Sequence, residues 1–210
     1  MPEREADGAS SRVVCLILAA GEGRRMGCPK ACLPLGDNTS LATIALACRE
    51  AGVPALVVTG AHRQAVTEEA SRCELDVIQN PGWASGRTSS IQVGWRAAGR
   101  TAVLVWPVDV PFVHPGTVRR LLGGASRRPR TPAFRGRRGH PVLLPACVRE
   151  EVLALGPDQA LHDVTRLGAE EVTVEDEGIL VDLNTPFDHK AALERLRHVR
   201  HEPPYAENLP

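Results

Sequence analysis

The sequence is poor in aromatic residues and has no excess of either charge. Phe, Trp and Tyr account for 3% of its 210 residues, so a core has to be built mostly from aliphatic side chains. Lys plus Arg and Asp plus Glu both total 25, and the formal net charge is zero. A neutral chain lacks the overall positive charge of general nucleic-acid and membrane-surface binding proteins, although it can carry local basic patches. We therefore expect no nucleic acid and no membrane as a partner.

The sequence also lacks the apolar segments of secreted and membrane proteins. No apolar run approaches the ~20 residues that cross a bilayer, and the polar N-terminus has no signal-like apolar region. The six cysteines include no Cys-x-x-Cys pair and no histidine partner at zinc-ligand spacing. This cysteine usage is typical of a reducing compartment, so we expect a cytoplasmic protein.

Short apolar runs alternate with amphipathic segments over the first part of the chain. The pattern predicts strands over 13–20, 55–59, 76–79 and 102–106, and helices over 39–52, 63–72, 86–98 and 114–122. Such alternation predicts an α/β fold with a mostly parallel sheet, whose ligands bind beyond the carboxyl ends of the strands. The length suits one domain, which we place at 12–197, between a disordered N-terminus (1–11) and a loose tail (198–210).

The second part of the chain is less regular. Strand-like residues at 133–134 and 142–144 flank Gly136–His140 and suggest a hairpin-like insertion. The remaining elements are helices at 148–155 and 159–168, strands at 171–174 and 179–183, and a closing helix at 187–197.

A glycine-rich loop follows the first predicted strand. It contains Gly21, Gly23 and Gly27, with Arg24 and Arg25 between the second and third glycines. Backbone N–H groups of such a loop, with fixed cations beside them, form an anion site that suits a polyphosphate. The glycine spacing differs from the dinucleotide fingerprint by one residue, and Gly-Lys-Ser/Thr is absent, which disfavours an NAD-dependent dehydrogenase and a Walker-type NTPase.

The segment Leu18–Lys30, LAAGEGRRMGCPK, resembles the signature Leu-Ala-Ala-Gly-x-Gly-x-Arg-Met-Gly-x-x-Lys of nucleotidyltransferases. It is most similar to the MobA-like branch, which includes the molybdenum cofactor cytidylyl- and guanylyltransferases. The resemblance extends over residues 13–197 and implies a single Rossmann-like, GT-A-like domain with a mixed, mostly parallel sheet. It also implies Mg²⁺-dependent transfer of a nucleoside monophosphate to a phosphate-bearing acceptor, with release of pyrophosphate.

The resemblance further assigns roles to residues of the loop and of later strand ends. It implies nucleotide binding by Leu18, Ala19, Ala20, Gly21, Gly23, Arg25, Lys30, Asn80 and Asp109. Of these, Arg25, Lys30 and Asp109 are the expected catalytic residues. The Leu-Ala-Ala-Gly form is closer to the cytidylyl type, so CTP is the expected donor, molybdopterin the expected acceptor and a molybdoenzyme a possible partner.

Carboxylates at two strand ends are the candidate metal ligands. Asp109 directly follows the apolar run 102–106, where a carboxylate is costly unless it is paired or binds a metal. It resembles the Asp-x-Pro metal ligand of the family. Pro111, Phe112 and Val113 stand between it and the next helix, which weakens a helix-cap role. Asp182 and Asn184 resemble the family's late metal-binding element. Asp182 is the favoured charged ligand and Asn184 the secondary one, although Asn184 and Thr185 also suit a helix cap.

The candidate acceptor site is drawn from His140, Arg138 and Ser89. Gly139-His-Pro-Val resembles a family motif on the acceptor side, and the neighbouring arginines suit an anionic acceptor. A structural histidine and a solvated basic loop are the alternatives. In Gly86–Ser90, Arg87 is larger than the residue the resemblance leads us to expect.

Two further possibilities stay open at this point. The chain could be a guanylyltransferase or another NTP transferase of the branch, or a nucleotide-binding accessory protein with little turnover. The base, the acceptor and the oligomeric state do not follow from the sequence.

Overall fold

The computed structural model describes residues 13–124, 126–156, 159–162 and 168–201, without the side chains of 195–201. The expectations for residues 1–11 and 202–210, and most of the helix predicted over 159–168, lie outside these ranges.

The centre of the fold is an eight-stranded mixed sheet. Its strands are β1 (Val13–Ala19), β4 (Ala55–Thr59), β5 (Asp76–Gln79), β6 (Ala102–Pro107), β7 (Arg130–Phe134), β8 (Arg137–Arg138), β9 (Val142–Leu144) and β10 (Glu170–Thr173). A separate hairpin joins β2 (Pro34–Leu35) to β3 (Asn38–Thr39). The strand order is β10-β7-β9-β6-β1-β4-β5, with β8 paired to β7. Only pairs that involve β8 or β9 are antiparallel within this sheet, so the predicted mostly parallel α/β sheet is confirmed.

Helices cover both faces of the sheet. They are α1 (Ser40–Ala51), α2 (Arg63–Arg72), α3 (Arg87–Ala98), α4 (Pro115–Leu122), α5 (Arg149–Leu153) and α6 (Pro186–His201). The Thr39 hydroxyl accepts the N–H of Ala42 at 3.1 Å and caps α1. None of the helices in the described ranges has the length and apolar character needed to cross a bilayer.

Strand β1 is buried on both faces, which explains its uninterrupted apolar sequence. Cys15, Ile17 and Ala19 pack in one large cluster with α1, α2 and α4. Leu16 and Leu18 alternate with them and pack with α3 and α5 on the opposite face. This central strand therefore carries the glycine loop at its carboxyl end on a rigid support.

The predicted strand over 179–183 is wrong. Residues Glu177–Leu180 form a 3-10 helix that begins where the Asp176 carboxylate accepts the N–H of Gly178 at 3.0 Å. Ile179 and Leu183 are both buried, which is why the apolar pattern suggested a strand. The segment runs beside the sheet and does not join its ladder.

Both strands of the predicted hairpin-like insertion are present and antiparallel, but they are part of the main sheet and do not form an insertion. β7 and β9 belong to the main sheet, and β9 lies antiparallel between β7 and β6. The short β8 turns back on β7 through Arg135 and Gly136, both with positive φ. The closing helix also extends to His201, four residues beyond the predicted end.

Candidate functional site

A cavity of about 470 Å³ lies at the carboxyl ends of β1 and β6, as expected for a parallel sheet. We call it the first cavity. It is lined by residues 18–25, Lys30, Trp83, Ala84, Gly86, Arg87, Ser90, residues 107–109 and Asn184. Among the predicted nucleotide-binding residues, all except Asn80 therefore lie on its wall.

The glycine loop forms one wall of the first cavity. Gly23 has a φ of +64°, and a Cβ there would lie 2.6 Å from the Cys28 carbonyl oxygen, so only glycine fits. The Gly23 carbonyl accepts the N–H groups of Met26 and Gly27, which closes a tight turn. Gly21 has open space around it, so its small size serves the cavity and not the packing of the chain.

Three predicted residues meet on the floor of the first cavity. The Lys30 ammonium lies 2.9 Å from an Asp109 carboxylate oxygen and 2.8 Å from the Asn184 amide oxygen. Arg25 donates to the same Asn184 oxygen at 3.4 Å. The side chains of Lys30 and Asp109 are 17% and 16% exposed, so their attraction is only partly screened by water.

The backbone brings Asn184 to Asp109 from 75 residues further along the chain. The Leu183 N–H donates to the Asp109 carbonyl at 2.8 Å. Asp188 then accepts the N–H groups of Asn184 and Thr185, and the Thr185 hydroxyl accepts the N–H of Asp188. These bonds cap α6. The pKa of Asp188 is lowered, chiefly because the Thr185 hydroxyl donates to its carboxylate at 2.9 Å and also because the N–H groups of Thr185 and Asn184 donate to it. The cap role falls to Thr185 and Asp188, which leaves the Asn184 amide oxygen for the cavity.

Asp182 occupies a different position from the one expected of the principal metal ligand. It is exposed, does not line the first cavity, and makes no hydrogen bond or ion pair within the described part of the chain. Loss of hydration where the carboxyl group meets the rest of the chain raises the pKa of Asp182, and the negative charge of Asp109 raises it further. The two carboxylates are therefore close enough to repel each other. Asn184, the secondary candidate, is the one that shares a partner with Asp109.

Asn80 and Ser89 do not line the first cavity. They form hydrogen bonds behind the part of its wall that runs from Trp83 to Ser90. Asn80 is 2% exposed; its amide nitrogen donates to the hydroxyls of Ser89 and Ser90, and its oxygen accepts the N–H of Gly82. The Ser89 hydroxyl also donates to the Gly86 carbonyl at 2.8 Å. Because these groups are already satisfied inside the chain, the predicted direct contacts of Asn80 with nucleotide and of Ser89 with acceptor do not fit their positions.

A second cavity of about 700 Å³ adjoins the first. Its apolar lining includes Ile91, Val105, Val142, Leu161, Ile179 and Leu180. His140 also lines it, and its Nδ1 atom is buried without a hydrogen-bond partner among the described residues. Burial and the nearby charge of Arg87 lower the pKa of His140 from 6.5 to about 4, against a smaller opposing effect of Asp109. The ring is therefore neutral at physiological pH.

The arginines around His140 differ in how they are paired. Arg138, a predicted acceptor residue, lines the second cavity, but its guanidinium is bound to the Glu171 carboxylate at 2.7 Å. Arg135 lies over the Phe134 ring, 5.0 Å from its centroid. Arg137 lines the same cavity and has no partner within the ranges the structure describes.

Sequence reasoning missed Trp83 and gave no role to Arg87. Trp83 lies in a 3-10 helix and lines the first cavity, where Gly60 packs against its Cβ. Trp83 lies in the segment that connects β5 to α3, and Arg87 is the first residue of α3. From residue 80 to residue 87, sequence reasoning assigns a site role to Asn80 alone. Cavity walls made by connecting segments depend on tertiary packing, which local sequence patterns do not report.

The oxygen atoms around Asp109 suit a hard divalent cation. Asp109, Asp182 and Asn184 supply carboxylate and amide oxygens, whereas nitrogen and sulfur ligands are absent from this set. Within the described residues no group of three or more His, Cys, Asp or Glu side chains has metal-binding geometry. Such an open set fits Mg²⁺, which keeps several waters and takes further ligands from substrate phosphates.

Known proteins resemble this chain over most of its length. A family model described as a MobA-like NTP transferase domain matches residues 15–174. The nicotine blue oxidoreductase of Paenarthrobacter nicotinovorans is 35% identical over 153 residues, or 67% of this chain and 74% of that protein. A molybdenum cofactor guanylyltransferase of Cereibacter sphaeroides is 33% identical over 89% of this chain and 98% of its own length. The molybdenum cofactor cytidylyltransferase of Escherichia coli K12 is 25% identical over 90% and 100%.

Solved structures show the same fold. A nucleotidyl transferase from Methanothermobacter superposes with a TM-score of 0.79 at 25% identity, covering 90% of this chain and 99% of its own. A Mycobacterium tuberculosis protein solved in complex with manganese has a TM-score of 0.73 at 25% identity, with 87% and 98% coverage.

Proposed function

Because this chain belongs to the MobA-like NTP transferase family, we propose that it transfers a nucleoside monophosphate, with CTP the first donor to test, to an acceptor that bears a phosphate. Nucleotidyl transfer is the activity named for the molybdenum cofactor relatives, and the proposal concerns the donor, the acceptor, the metal and the residues that act on them. The acceptor that we propose is molybdopterin or a related molybdenum cofactor intermediate.

The observation that carries the proposal is the meeting of Lys30, Asp109 and Asn184 beside the glycine loop. The loop offers backbone N–H groups and the cation of Arg25 to a triphosphate. Lys30 is held in place by two oxygens, so its ammonium needs little reorganisation to meet a phosphate.

Mg²⁺ is the metal that we propose for the carboxylates. When bound by Asp109, with Asp182 and Asn184 beside it, the cation would neutralise charge on the triphosphate and on the departing pyrophosphate. The donor set supports this choice because it consists of oxygen atoms alone. The manganese in the Mycobacterium tuberculosis relative is the same class of divalent cation.

The step itself is a displacement at phosphorus. A phosphate oxygen of the acceptor forms a bond to the α-phosphorus, and the bond from that phosphorus to the oxygen that bridges the α- and β-phosphates breaks. The bonding electron pair leaves with pyrophosphate. A phosphate monoester is largely a dianion at neutral pH, so the attacking oxygen needs no protein base. Arg25 and Lys30 hold the triphosphate in line, which is the main contribution that such a reaction requires.

Two observations bear on the base of the donor, and they favour different nucleotides. The Leu18–Gly21 segment, Leu-Ala-Ala-Gly, supports CTP, whereas the guanylyltransferase relative has a higher identity than the cytidylyltransferase. GTP is therefore the principal alternative donor.

The second cavity is the proposed acceptor site. It joins the first cavity at Arg87 and combines apolar walls with Arg137 and Arg138. It also holds a neutral His140, whose Nδ1 has no partner in the part of the chain that the structure describes. These features support an acceptor with an uncharged ring system and an anionic group. His140 would donate to, or accept from, a polar atom of the acceptor without adding charge.

Thermal unfolding with each of ATP, CTP, GTP and UTP, with and without Mg²⁺, tests the proposed function. A ligand that binds only the folded protein raises the melting temperature by mass action. We expect a Mg²⁺-dependent rise with CTP that exceeds the rise with the other three. A rise with GTP instead would change the donor and leave the reaction unchanged. No rise with any nucleotide would overturn the donor assignment and favour an accessory protein with another ligand.

An oxidoreductase is the second candidate, because one relative in the family carries that name. The altered glycine spacing and the arginines of the loop disfavour a nicotinamide dinucleotide. Binding of NADH and NADPH, measured by their fluorescence, distinguishes the two candidates. Absence of binding would support the transferase, and tight binding would support the oxidoreductase.

A further inference from the structure

Arg87 lies at the boundary between the two cavities. It is the first residue of α3, and it is the one residue of the described ranges that lines both the first and the second cavity. A side chain at this boundary can reach ligands on either side. Its position therefore differs from that of Arg25 and Lys30 in the first cavity and of Arg137 in the second.

The guanidinium of Arg87 also has no partner among the described residues, so within them nothing competes with a ligand for it. Arg24 is paired with Glu22, Arg25 donates to Asn184, and Arg138 is paired with Glu171. Arg87 is exposed and makes no hydrogen bond or ion pair with any residue that the structure describes. Its charge nevertheless acts on the second cavity, since it lowers the pKa of His140.

The proposed reaction brings two anions to this boundary. The α-phosphate of the nucleotide must face the acceptor site, and the attacking phosphate of the acceptor must approach it. Two phosphates at bonding distance repel each other, and a fixed cation between them reduces that repulsion and the charge that develops in the transition state. A guanidinium suits this task because its five donors can serve two oxyanions at once.

We infer that Arg87 is a catalytic residue that binds the transferred phosphate of the nucleotide and the attacking phosphate of the acceptor together. The inference rests on the proposed function and adds a residue to it. It also explains why a large cation occupies a position where the family resemblance leads us to expect a smaller residue.

Calorimetric binding of CMP and CTP distinguishes a contact with the α-phosphate from a contact with the rest of the triphosphate. Arg87→Leu should weaken both nucleotides by the same factor, about tenfold, because both carry the α-phosphate. Arg87→Lys should recover part of that loss, since it keeps the charge and loses the fork. Arg100→Leu is the matched control. Arg100 is exposed and precedes β6, at the amino end of that strand, whereas the two cavities lie towards the carboxyl ends.

Turnover supplies the second readout. With molybdopterin as acceptor, Arg87→Leu should lower the kcat of pyrophosphate release by about 100-fold, and Arg100→Leu should leave it unchanged. Equal melting temperatures of the variants without ligand would show that the fold is intact.

The possible outcomes separate this inference from the proposed function. If the wild-type protein binds CTP and Arg87→Leu binds CMP and CTP equally well, the role of Arg87 is wrong and the transferase assignment stands. A loss confined to CTP would place Arg87 on the β- or γ-phosphate and would also overturn the inference. If the wild-type protein binds none of the four nucleoside triphosphates, the proposed donor site fails and this inference fails with it.

Discussion

The two cavities are built from different kinds of residue. The first is made of a glycine loop, cations and a carboxylate, and its charged groups largely bind one another, as Lys30 binds Asp109 and Asn184. The second has apolar walls and polar groups that have no partner among the described residues, such as Arg137 and the Nδ1 atom of His140. The difference indicates that the first cavity is organised in advance for a phosphate chain, whereas the second awaits a ligand that is part apolar and part anionic.

Organisation in advance has a physical consequence for each cavity. Charges that neighbouring groups already hold in position lose little conformational freedom when a phosphate binds. A buried polar atom without a partner costs free energy until a ligand satisfies it. We therefore expect variants of the first cavity to act mainly on nucleotide affinity and turnover, and variants around His140 to act on stability as well.

The largest expected effect is that of Asp109→Asn. The variant keeps the shape of the side chain and removes the negative charge that Lys30 and the proposed Mg²⁺ require, so pyrophosphate release should fall by about 1000-fold. Asp76 is the exposed first residue of β5, at the amino end of the strands. The control variant Asp76→Asn should therefore retain full activity. Persistent Mg²⁺-dependent release by Asp109→Asn would show that the metal is held elsewhere.

The next effect is a pH dependence that belongs to the second cavity. The folded protein lowers the pKa of His140 from 6.5 to about 4, so the unfolded chain binds one more proton between those values. Stability that is complete above pH 6.5 is therefore lost as the pH falls towards 4, by about 3 kcal/mol. Urea unfolding of the wild type and of His140→Gln at several pH values measures this loss.

The difference in the free energy of unfolding between the wild type and His140→Gln reports on the histidine alone, because the two share all other titrating groups. The wild type should lose stability relative to His140→Gln over this interval. A constant difference would mean that His140 is solvated and that the second cavity does not hold a neutral ring.

A third prediction separates the two lysines of the chain, Lys30 and Lys190. Lys30→Met should weaken CTP binding by about ten- to a hundredfold, because a charged hydrogen bond to phosphate is lost. Lys190→Met makes the same change at an exposed position of α6 and should leave CTP binding unaltered. Equal affinities of the two variants would remove Lys30 from the nucleotide site.

The smallest expected effects come from a pair of glycines. Gly21→Ala adds a Cβ to open space beside the first cavity, so the free energy of unfolding should change by less than about 0.5 kcal/mol. CTP affinity should nevertheless fall by about tenfold, since the added group occupies room for a phosphate at the loop. Gly139→Ala meets the backbone carbonyl of Ile179 and should destabilise the protein by about 1–3 kcal/mol.

Melting curves and CTP titrations of both variants check the pair. A Gly21→Ala variant that binds CTP normally would mean that the phosphate chain does not approach the loop at that residue.

Parts of this molecule could be predicted closely from sequence, and these parts share one property. In β4, α2 and β5 the apolar period and the flanking polar residues all act locally, and the predicted bounds agree with the structure to the residue. The segment 177–183 has no such local signal. Its buried Ile179 and Leu183 suit a strand as well as a 3-10 helix followed by extended chain, and the Asp176 cap decides between them.

The sequence by itself determined the α/β class, the family and the loop that meets the phosphates, because consecutive residues carry those signals. Only the tertiary structure decided which polar side chains reach a cavity. It placed Asn184 beside Asp109, directed the Asn80 side chain away from the first cavity towards Ser90, and set Arg87 between the two cavities. The physical reason is that a cavity is formed by strand ends and connecting segments far apart in the chain, and each side chain's direction depends on packing and hydrogen bonds with residues that its own neighbours in sequence do not specify.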